Sequence, residues 1–408
     1  MRSTQRSIRL GSLCLAISGA LLGACGGSSD SPPAPVVAPL PPAPEPAVAL
    51  LGESMVTKTF MPGGIAVDDA GVIYVGNRSP NQLPSYELAE YIEIVKVSQS
   101  GAVSPYINQS STYTRPSLRG GGPVGQIVQL AFHPNKQTLY ALDVIGEAPP
   151  YSSGLIRPVS AGGVVGMIKL ATTHTHESSP MAYTFYQRPV ALAVSPDGAL
   201  NVYGADAYSS SGTPSSGSRR GQYAGWQIVQ PDGSGRTVYA QEAGEKTPGA
   251  TGIGLSYTYP ADLSATAGLM GRNDGGFAID SAGNGYIADT TRHAIVKVSA
   301  AGGASIFAGA ANQAGSADGA ATAARFKEPT QLVVDKASNV FVLDSGNATV
   351  RKITPDGVVT TVLGVAGQSQ TRTGALPGGL GAPAGLAIDA DGRLYVTVDK
   401  GVVRARVR

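Results

Sequence analysis

The sequence predicts an all-β fold in which a four-stranded antiparallel unit is repeated along the chain. Residues 275–309 contain three short apolar runs separated by Gly, Ser and Asn turn signals, with a fourth run behind them, which is the pattern of an antiparallel meander. Residues 330–364 and 384–408 repeat this pattern. Because short strands joined by tight turns cannot bury both faces of one sheet, such a unit becomes stable by stacking on copies of itself.

Six units share the same recurring positions. Their first strands align at Ala66, Ala131, Ala193, Ala278, Val333 and Ala387. Their second strands carry an aromatic column made of Tyr74, Tyr140, Tyr203, Tyr286, Phe341 and Tyr395. A polar column follows at Asn77, Asp143, Asp206, Asp289, Asp344 and Asp399. This recurrence predicts that the aromatic rings form the core between units and that the polar residues cap turns within each unit.

The units resemble the NHL repeat, most clearly in ADTTRHAIVKVS at 288–299 and AGSADGAATAARFKEPTQLVVD at 314–335. The resemblance extends over residues 60–408 and implies a six-bladed β-propeller of four-stranded antiparallel blades. The last unit offers three strands, and a ring must close to leave no free strand edge. We predict that Met55–Phe60 supplies the missing outer strand of the sixth blade. The long spacing before the fourth unit reads as one insertion and not as a seventh blade.

The N-terminus predicts export. Three arginines precede an apolar stretch from Leu10 to Leu22, which is too short for a permanent membrane helix. The residues LGAC ending at Cys25 resemble the bacterial lipobox, which implies that residues 1–24 are a removed signal and that Cys25 carries a lipid. The alternative is an ordinary cleaved signal followed by an incidental cysteine. Once the signal is removed, Cys25 is the one cysteine left, so the mature chain forms no internal disulfide.

The lipobox resemblance also bears on location and domain boundaries. Gly26 after the cysteine implies the outer membrane of a two-membrane bacterium. Residues 25–52 are rich in Pro and Ala, which predicts a disordered, semi-rigid spacer between the anchor and the folded part. The propeller is therefore expected to occupy residues 53–408.

The charge balance argues against a nucleic-acid partner. Of the 30 basic residues, three lie in the signal, so 27 face 28 acidic residues in the mature chain, a net charge of −1. A nucleic-acid-binding protein is expected to carry a basic surface. The membrane is expected to be contacted through the lipid anchor alone, and the chain is expected to be a monomer.

The two rims of the predicted ring differ in the length of their connections. The turns between first and second strands and between third and fourth strands are short, whereas the connections on the other rim are long and rich in tyrosine. Long ordered connections are often functional surfaces, and exposed tyrosines suit sugars, peptides or proteins. The predicted ligand-binding residues are Tyr113, Arg115, Tyr183, Tyr186, Arg188, Tyr257, Tyr259, Arg272, Arg325 and Lys327. The alternative is that these side chains anchor their own loops.

Histidines supply the one hint of a cofactor, a divalent metal. His174 and His176 lie two residues apart in a predicted crossover, and in an extended segment such residues point to the same side. A pair without a third ligand is also common by chance. His133 and His293 occupy repeat positions and are expected to be structural.

Two functions fit these observations. The first is a cell-envelope propeller that binds a protein, peptide or glycan through its tyrosine-rich rim, as a ligand-binding or scaffold module. The second, implied by the resemblance, is a propeller enzyme of the lyase or lactonase type with a metal-assisted site at the channel mouth. No residue is assigned a catalytic role, because no nucleophile motif or phosphate loop is present in the sequence.

Overall fold

In a computed structural model, residues Pro46–Arg408 form one compact unit, and Met1–Glu45 are assigned to a separate one. The structure describes residues 47–57, 60–77, 90–111, 126–135, 137–144, 154–161, 168–169, 188–209, 220–229, 235–243 and 275–407. Within these ranges no helix is long and apolar enough to cross a lipid bilayer. The signal, Cys25 and most of the spacer predicted from the sequence lie outside the described residues.

Six antiparallel sheets follow one another along the chain. The strand β1 (Val48–Leu51) precedes blade one, which contains β2 (Pro62–Val67), β3 (Ile73–Asn77), β4 (Glu90–Val97) and β5 (Val103–Ser111). Blade two contains β6 (Gln126–Phe132), β7 (Thr138–Val144), β8 (Gly154–Ser160) and β9 (Ile168–Lys169). Blade three contains β10 (Arg188–Val194), β11 (Leu200–Ser209), β12 (Arg220–Val229) and β13 (Gly235–Ala243).

The second half of the chain forms the other three blades. Blade four contains β14 (Phe277–Ile279), β15 (Gly285–Asp289), β16 (Ala294–Val298) and β17 (Ala304–Gly309). Blade five contains β18 (Gly319–Ala320), β19 (Pro329–Val334), β20 (Val340–Asp344), β21 (Thr349–Ile353) and β22 (Val358–Leu363). Blade six contains β23 (Gly385–Ile388), β24 (Arg393–Val398), β25 (Gly401–Arg406) and β1. These sheets confirm the predicted all-β, six-bladed propeller.

The ring closes through an N-terminal strand in blade six, but the residues that form it differ from the prediction. Strand β1 runs antiparallel to β25, with Val48 opposite Ala405 and Leu51 opposite Val402. The prediction of a strand at Met55–Phe60 is wrong. Its first residue ends a 3-10 helix, and both Met55 and Phe60 are buried in the core between blades six and one. Gly52, in the left-handed region at φ 67°, turns the chain between the two segments.

The folded unit consequently starts before residue 53. Strand β1 uses part of the predicted spacer, because the sequence VALL carries apolar side chains that pack in the last blade. Val48 is fully buried against blades five and six, and Leu51 joins the core between blades six and one. The Pro- and Ala-rich part of the chain thus ends at Pro46.

The hydrophobic core is divided among the blade interfaces. Each of six buried clusters in the described residues combines side chains from two neighbouring blades. The aromatic column contributes to this core as predicted, since Tyr286 packs with Leu332 of the next blade and Tyr395 packs with Ile73. Apolar contact between neighbours is what stabilises each meander.

Two long connections fold along the outside of the ring. Residues 310–328 leave blade four and place β18 against β22, the outer strand of blade five, and Ala321 N–H donates to Gly357 O at 2.8 Å. In residues 364–384, Gly374 exchanges backbone hydrogen bonds with Val48, the first residue of β1. Both segments were predicted to lie on one rim. They begin and end there but cover part of the outer strand edge of the following blade, which hinders edge-to-edge association.

Candidate functional site

The short-turn rim, formed by the turns at 68–72, 195–199, 280–284, 335–339 and 389–392, uses its carboxylates internally. The Oδ1 atom of Asp280 accepts the backbone N–H groups of Ala282 at 3.0 Å and Asn284 at 2.8 Å. The same two bonds are made by the equivalent carboxylates, Asp68, Asp335 and Asp389. Such side-chain bonds to backbone define Asx turns. These acids therefore hold the turns of the rim.

The aromatic column is tied to the same turns. The hydroxyls of Tyr74, Tyr286 and Tyr395 donate to the second oxygen of the turn Asp in their own blade, at 3.2, 3.1 and 3.0 Å. Burial raises the pKa of all three tyrosines above the usual value, so the hydroxyls stay protonated. The recurring six-residue spacing from Asp to Tyr is the sequence signal for this contact, which the sequence reading missed.

Cations on the third strands cover the same rings. Lys96, Lys297 and Lys352 lie directly opposite the column residues in the β-ladder. The Nζ atoms of Lys297 and Lys96 lie 5.4 Å from the centres of the Tyr286 and Tyr74 rings, respectively. Cation–π contacts of this kind are worth about 0.5–1 kcal/mol at exposed sites. These lysines are accordingly part of the blade structure.

In blades one, five and six, the polar column connects the blade to the segment that enters it. Asn77 Oδ1 accepts the N–H of Met61 at 3.0 Å, and Asp344 Oδ1 accepts the N–H of Lys327 at 2.7 Å. Asp399 Oδ1 accepts the hydroxyl of Thr371 at 3.0 Å. The partners lie just before, or in the connection to, the first strand of the same blade. These contacts explain the recurrence of the column without a ligand.

Asp289 of this column is buried beside Arg292. Asp289 Oδ1 accepts the backbone N–H of Arg292 at 3.0 Å, while its Oδ2 is 3.9 Å from Arg292 Nε. Burial raises the pKa of Asp289 to about 6, against the opposing effect of the Arg292 charge. Burial also raises the pKa of Tyr203, and the Asp289 charge adds to that shift. Blade four therefore holds a carboxylate whose pKa, at about 6, lies well above the ordinary value for Asp.

Three of the predicted ligand-binding residues lie in the described ranges. Arg325 donates from Nη1 to Thr322 O at 2.6 Å and Ala324 O at 2.7 Å, and from Nη2 to Gln313 Oε1 at 2.8 Å. These bonds are the loop-anchoring alternative that the sequence left open. Lys327 is exposed, and Arg188 is the first residue of β10, opposite Ala205.

Nine other residues predicted to bind a ligand or a metal fall outside the described ranges. They are Tyr113, Arg115, His174, His176, Tyr183, Tyr186, Tyr257, Tyr259 and Arg272. The two remaining histidines make backbone contacts: His133 Nδ1 accepts the N–H of Asn135 and His293 Nδ1 accepts that of Glu328, both at 3.2 Å. Within the part of the chain that the structure describes, no three His, Cys, Asp or Glu side chains form a group suited to a metal ion.

The central channel is enclosed by the first strands of all six blades. It forms a cavity of about 330 Å³ lined by β2, β6, β10, β14, β19 and β23. Ile65, Leu130, Phe277 and Leu386 line it with side chains that are buried between the blades, and none of the described residues that line it is ionisable. Its polar side chains are Gln129 and Gln331. None of these residues could act as a general acid or base. The two glutamines could, however, form hydrogen bonds to an uncharged molecule.

Comparison with known proteins supports the fold. No protein-family model and no curated protein matches the chain. A protein of unknown function from Bacteroides thetaiotaomicron has 15% sequence identity and a TM-score of 0.54, with 88% of this chain and 76% of that chain covered. This likeness agrees with a propeller of the same general architecture.

Two more distant structures have assigned roles. An auxiliary nutrient binding protein from the same species has 13% identity and a TM-score of 0.38, covering 86% of this chain and 98% of that chain. A virginiamycin B lyase from Staphylococcus aureus has 12% identity and a TM-score of 0.41, covering 88% and 97%. At such identities the similarity concerns the fold and transfers no role.

Proposed function

We propose that the chain is an NHL-type, lipid-anchored propeller of the cell envelope that binds a protein, peptide or glycan through its long-loop rim, the rim opposite the short turns. The observation that carries this proposal is the place where the chain enters the ring. Ala47 O accepts the N–H of Arg406, and Arg406 pairs with Arg393, the residue that follows the short turn at 389–392. The N-terminal segment therefore joins the propeller at the short-turn rim.

This attachment leaves the opposite rim as the surface to present. The carboxylates of the short-turn rim cap their own turns, so that rim offers few free groups for recognition. The sequence predicts that the connections that contain Tyr183, Tyr186, Tyr257 and Tyr259 lie on the long-loop rim. If Cys25 is lipidated, as the LGAC motif implies, a spacer ending at the short-turn rim favours display of the long-loop rim away from the membrane.

The binding role is tested with paired variants. The double variant Tyr183→Ala, Tyr186→Ala is compared with Lys336→Ala, which removes an exposed side chain from the short-turn rim. Both proteins and the wild type are applied to an array of envelope glycans and peptides at equal concentration. We expect the double variant to lose about tenfold or more in affinity, as truncation of aromatic interface anchors does, while Lys336→Ala keeps wild-type binding. Equal binding by all three proteins would contradict the proposal.

The anchor is tested separately. Cys25→Ser should abolish incorporation of labelled fatty acid and release the protein from the membrane fraction. Unchanged labelling of Cys25→Ser would show that the lipid, if any, is attached elsewhere.

A metal-assisted activity is the second candidate, because His174 and His176 have a spacing that suits two ligands of one ion. Elemental analysis of the purified protein and of a His174→Ala, His176→Ala variant decides it. A stoichiometric divalent metal that disappears in the variant would support the enzyme, and equal metal content in both proteins would remove this pair as the site.

A further inference from the structure

One level of the central channel has a repeated composition. The first strand of each blade runs into a short turn that begins at residue 68, 133, 195, 280, 335 or 389. The residue four positions before this turn is either small or a glutamine. In chain order these residues are Gly64, Gln129, Ala191, Gly276, Gln331 and Gly385. Blades one to three therefore read small, Gln, small, and blades four to six repeat the same order. In a ring of six blades this places the two glutamines on opposite sides of the channel.

Close packing between blades fixes this level. A Cβ atom on Gly64 would lie 2.6 Å from Gln129 Cα, and one on Gly276 would lie 2.7 Å from Gln331 Cα. Each glutamine is thus seated against a glycine of the preceding blade. The strand register also shifts just before both glutamines, between Ile127 and Gln129 and again before Gln331. Such irregularities re-aim side chains in a strand.

The two carboxamides retain unused hydrogen-bonding capacity. Gln129 Oε1 accepts the N–H of Leu192 at 2.8 Å, while its Nε2 makes no hydrogen bond to a described residue. Gln331 is 9% exposed and lines the cavity, and its carboxamide makes no hydrogen bond to any residue in the described ranges. Neither glutamine has a fully buried polar atom that lacks a partner, so these free groups are open to the cavity. A ligand in the cavity can therefore reach them.

We propose that the central channel binds a small uncharged polyol, of the monosaccharide class, between Gln129 and Gln331. A hydroxyl group both donates and accepts, as a carboxamide does, so vicinal hydroxyls satisfy both glutamines. Leu130, Leu192 and Leu386 also line the cavity, with side chains that are buried between the blades. A cavity of about 330 Å³ is at the lower end of the range for small-molecule sites.

Charged ligands are excluded by the same geometry. No described residue that lines the channel is ionisable, so an anion or cation would lose its hydration without gaining a counter-charge. A fully apolar ligand would leave Gln129 Nε2 and the Gln331 carboxamide without a hydrogen-bond partner, which disfavours its binding. The proposal rests on Gln129 and Gln331 and does not depend on what the tyrosine-rich connections bind.

The test uses glucose, xylose and glycerol as probes, with gluconate as a charged counterpart of glucose. Saturation-transfer NMR and calorimetry are run on the purified protein and on Gln331→Leu, with Gln370→Leu as the matched control because Gln370 is exposed. We expect at least one neutral probe to bind, gluconate not to bind, and Gln331→Leu to lose about tenfold in affinity. The control should bind as the wild type does.

Two results would overturn the proposal. One is that none of the three neutral probes binds the wild type. The channel would then hold water and not a polyol. The other is that Gln331→Leu, folded by circular dichroism, binds as the wild type does. If that variant does not fold, Gln331→Met, which keeps the length of the side chain, takes its place. Loss of glycan capture by the Tyr183 and Tyr186 variant has no bearing on this outcome, because the channel is probed by its own ligands.

Discussion

Arg351 and Asp344 form a buried ion pair in blade five. Arg351 Nη1 lies 3.0 Å from Asp344 Oδ2, and the two side chains are 1% and 0% exposed. The guanidinium also donates to Asp318 Oδ1 at 2.6 Å, and to the backbone oxygens of Ala317 and Arg325 at 2.9 Å. One side chain therefore joins the blade to the connection at 310–328, which crosses its outer edge.

Replacing Arg351 by Met should destabilise the protein strongly. The substitution leaves Asp344 buried without its cation and frees the 310–328 connection. Removing one partner of a buried pair costs about 3–5 kcal/mol. Denaturant unfolding measures the loss. Arg393→Met is the control. Arg393 is 31% exposed and pairs with Asp389 and with the exposed Asp391, so its replacement should change stability far less. Equal losses in the two variants would show that the blade-five network does not secure the connection.

Removing the hydroxyl of Tyr286 should weaken blade four. Tyr286→Phe keeps the buried ring but deletes the bond to Asp280 Oδ2, and an intramolecular hydrogen bond is worth about 1 kcal/mol. Blade five provides the reverse change, because Phe341 already occupies the column there. Phe341→Tyr places a hydroxyl near Asp335 and should not cost stability by the same mechanism. Thermal unfolding of both variants compares the two effects. A Tyr286→Phe protein as stable as the wild type would argue against a stabilising hydroxyl contact.

The fold was predictable because its signals are local and repeated. The aromatic column of Tyr74, Tyr286 and Tyr395 appears at equivalent places, and each ring packs between neighbouring blades. Strand β1 could not be found in this way. It is four residues long, lies beside a Pro-rich segment and pairs with a strand at the opposite end of the chain. Pairing over such a distance leaves no periodic pattern in the sequence.

The candidate site was less predictable. The number of residues before Pro329 predicted a long connection. It did not predict that Gly319 and Ala320 would pair with the outer strand of blade five. The role of Arg325 was open between a ligand and its own loop, and only its hydrogen bonds distinguish the two. Gln129 and Gln331 gave no signal by themselves, because their significance depends on both lining the channel, one from blade two and one from blade five.

Titration of Asp289 should make stability fall as pH rises from about 4 to about 6. Its pKa is about 6 in the folded protein against an ordinary 3.8, so the folded state binds the proton more tightly across that interval. Above it, the carboxylate is charged in both states and the full cost of burying it applies, up to about 3 kcal/mol. Among the described residues, Arg292 and Tyr203 are the ionisable groups that interact electrostatically with this carboxylate.

The measurement is denaturant unfolding of the wild type and of Asp289→Asn at several pH values in this interval. The amide cannot ionise but retains an oxygen for the N–H of Arg292. We expect the stability of the variant relative to the wild type to increase as pH rises. A constant difference between the two proteins across the interval would contradict the raised pKa.

Truncation should show that the first strand closes the ring. A chain beginning at Pro46 keeps β1 and should unfold at the temperature of the longer protein. A chain beginning at Gly52 loses β1, which exposes the edge of β25 at Val402 and Val403, both fully buried in the intact ring. Removing the outer strand also removes Val48 from the core of blades five and six. We expect the shorter chain to have a Tm lower by roughly 5 °C or more and to aggregate through the free edge, as followed by calorimetry and light scattering. If the chain beginning at Gly52 is as stable and monomeric as the chain beginning at Pro46, β1 does not contribute to closure.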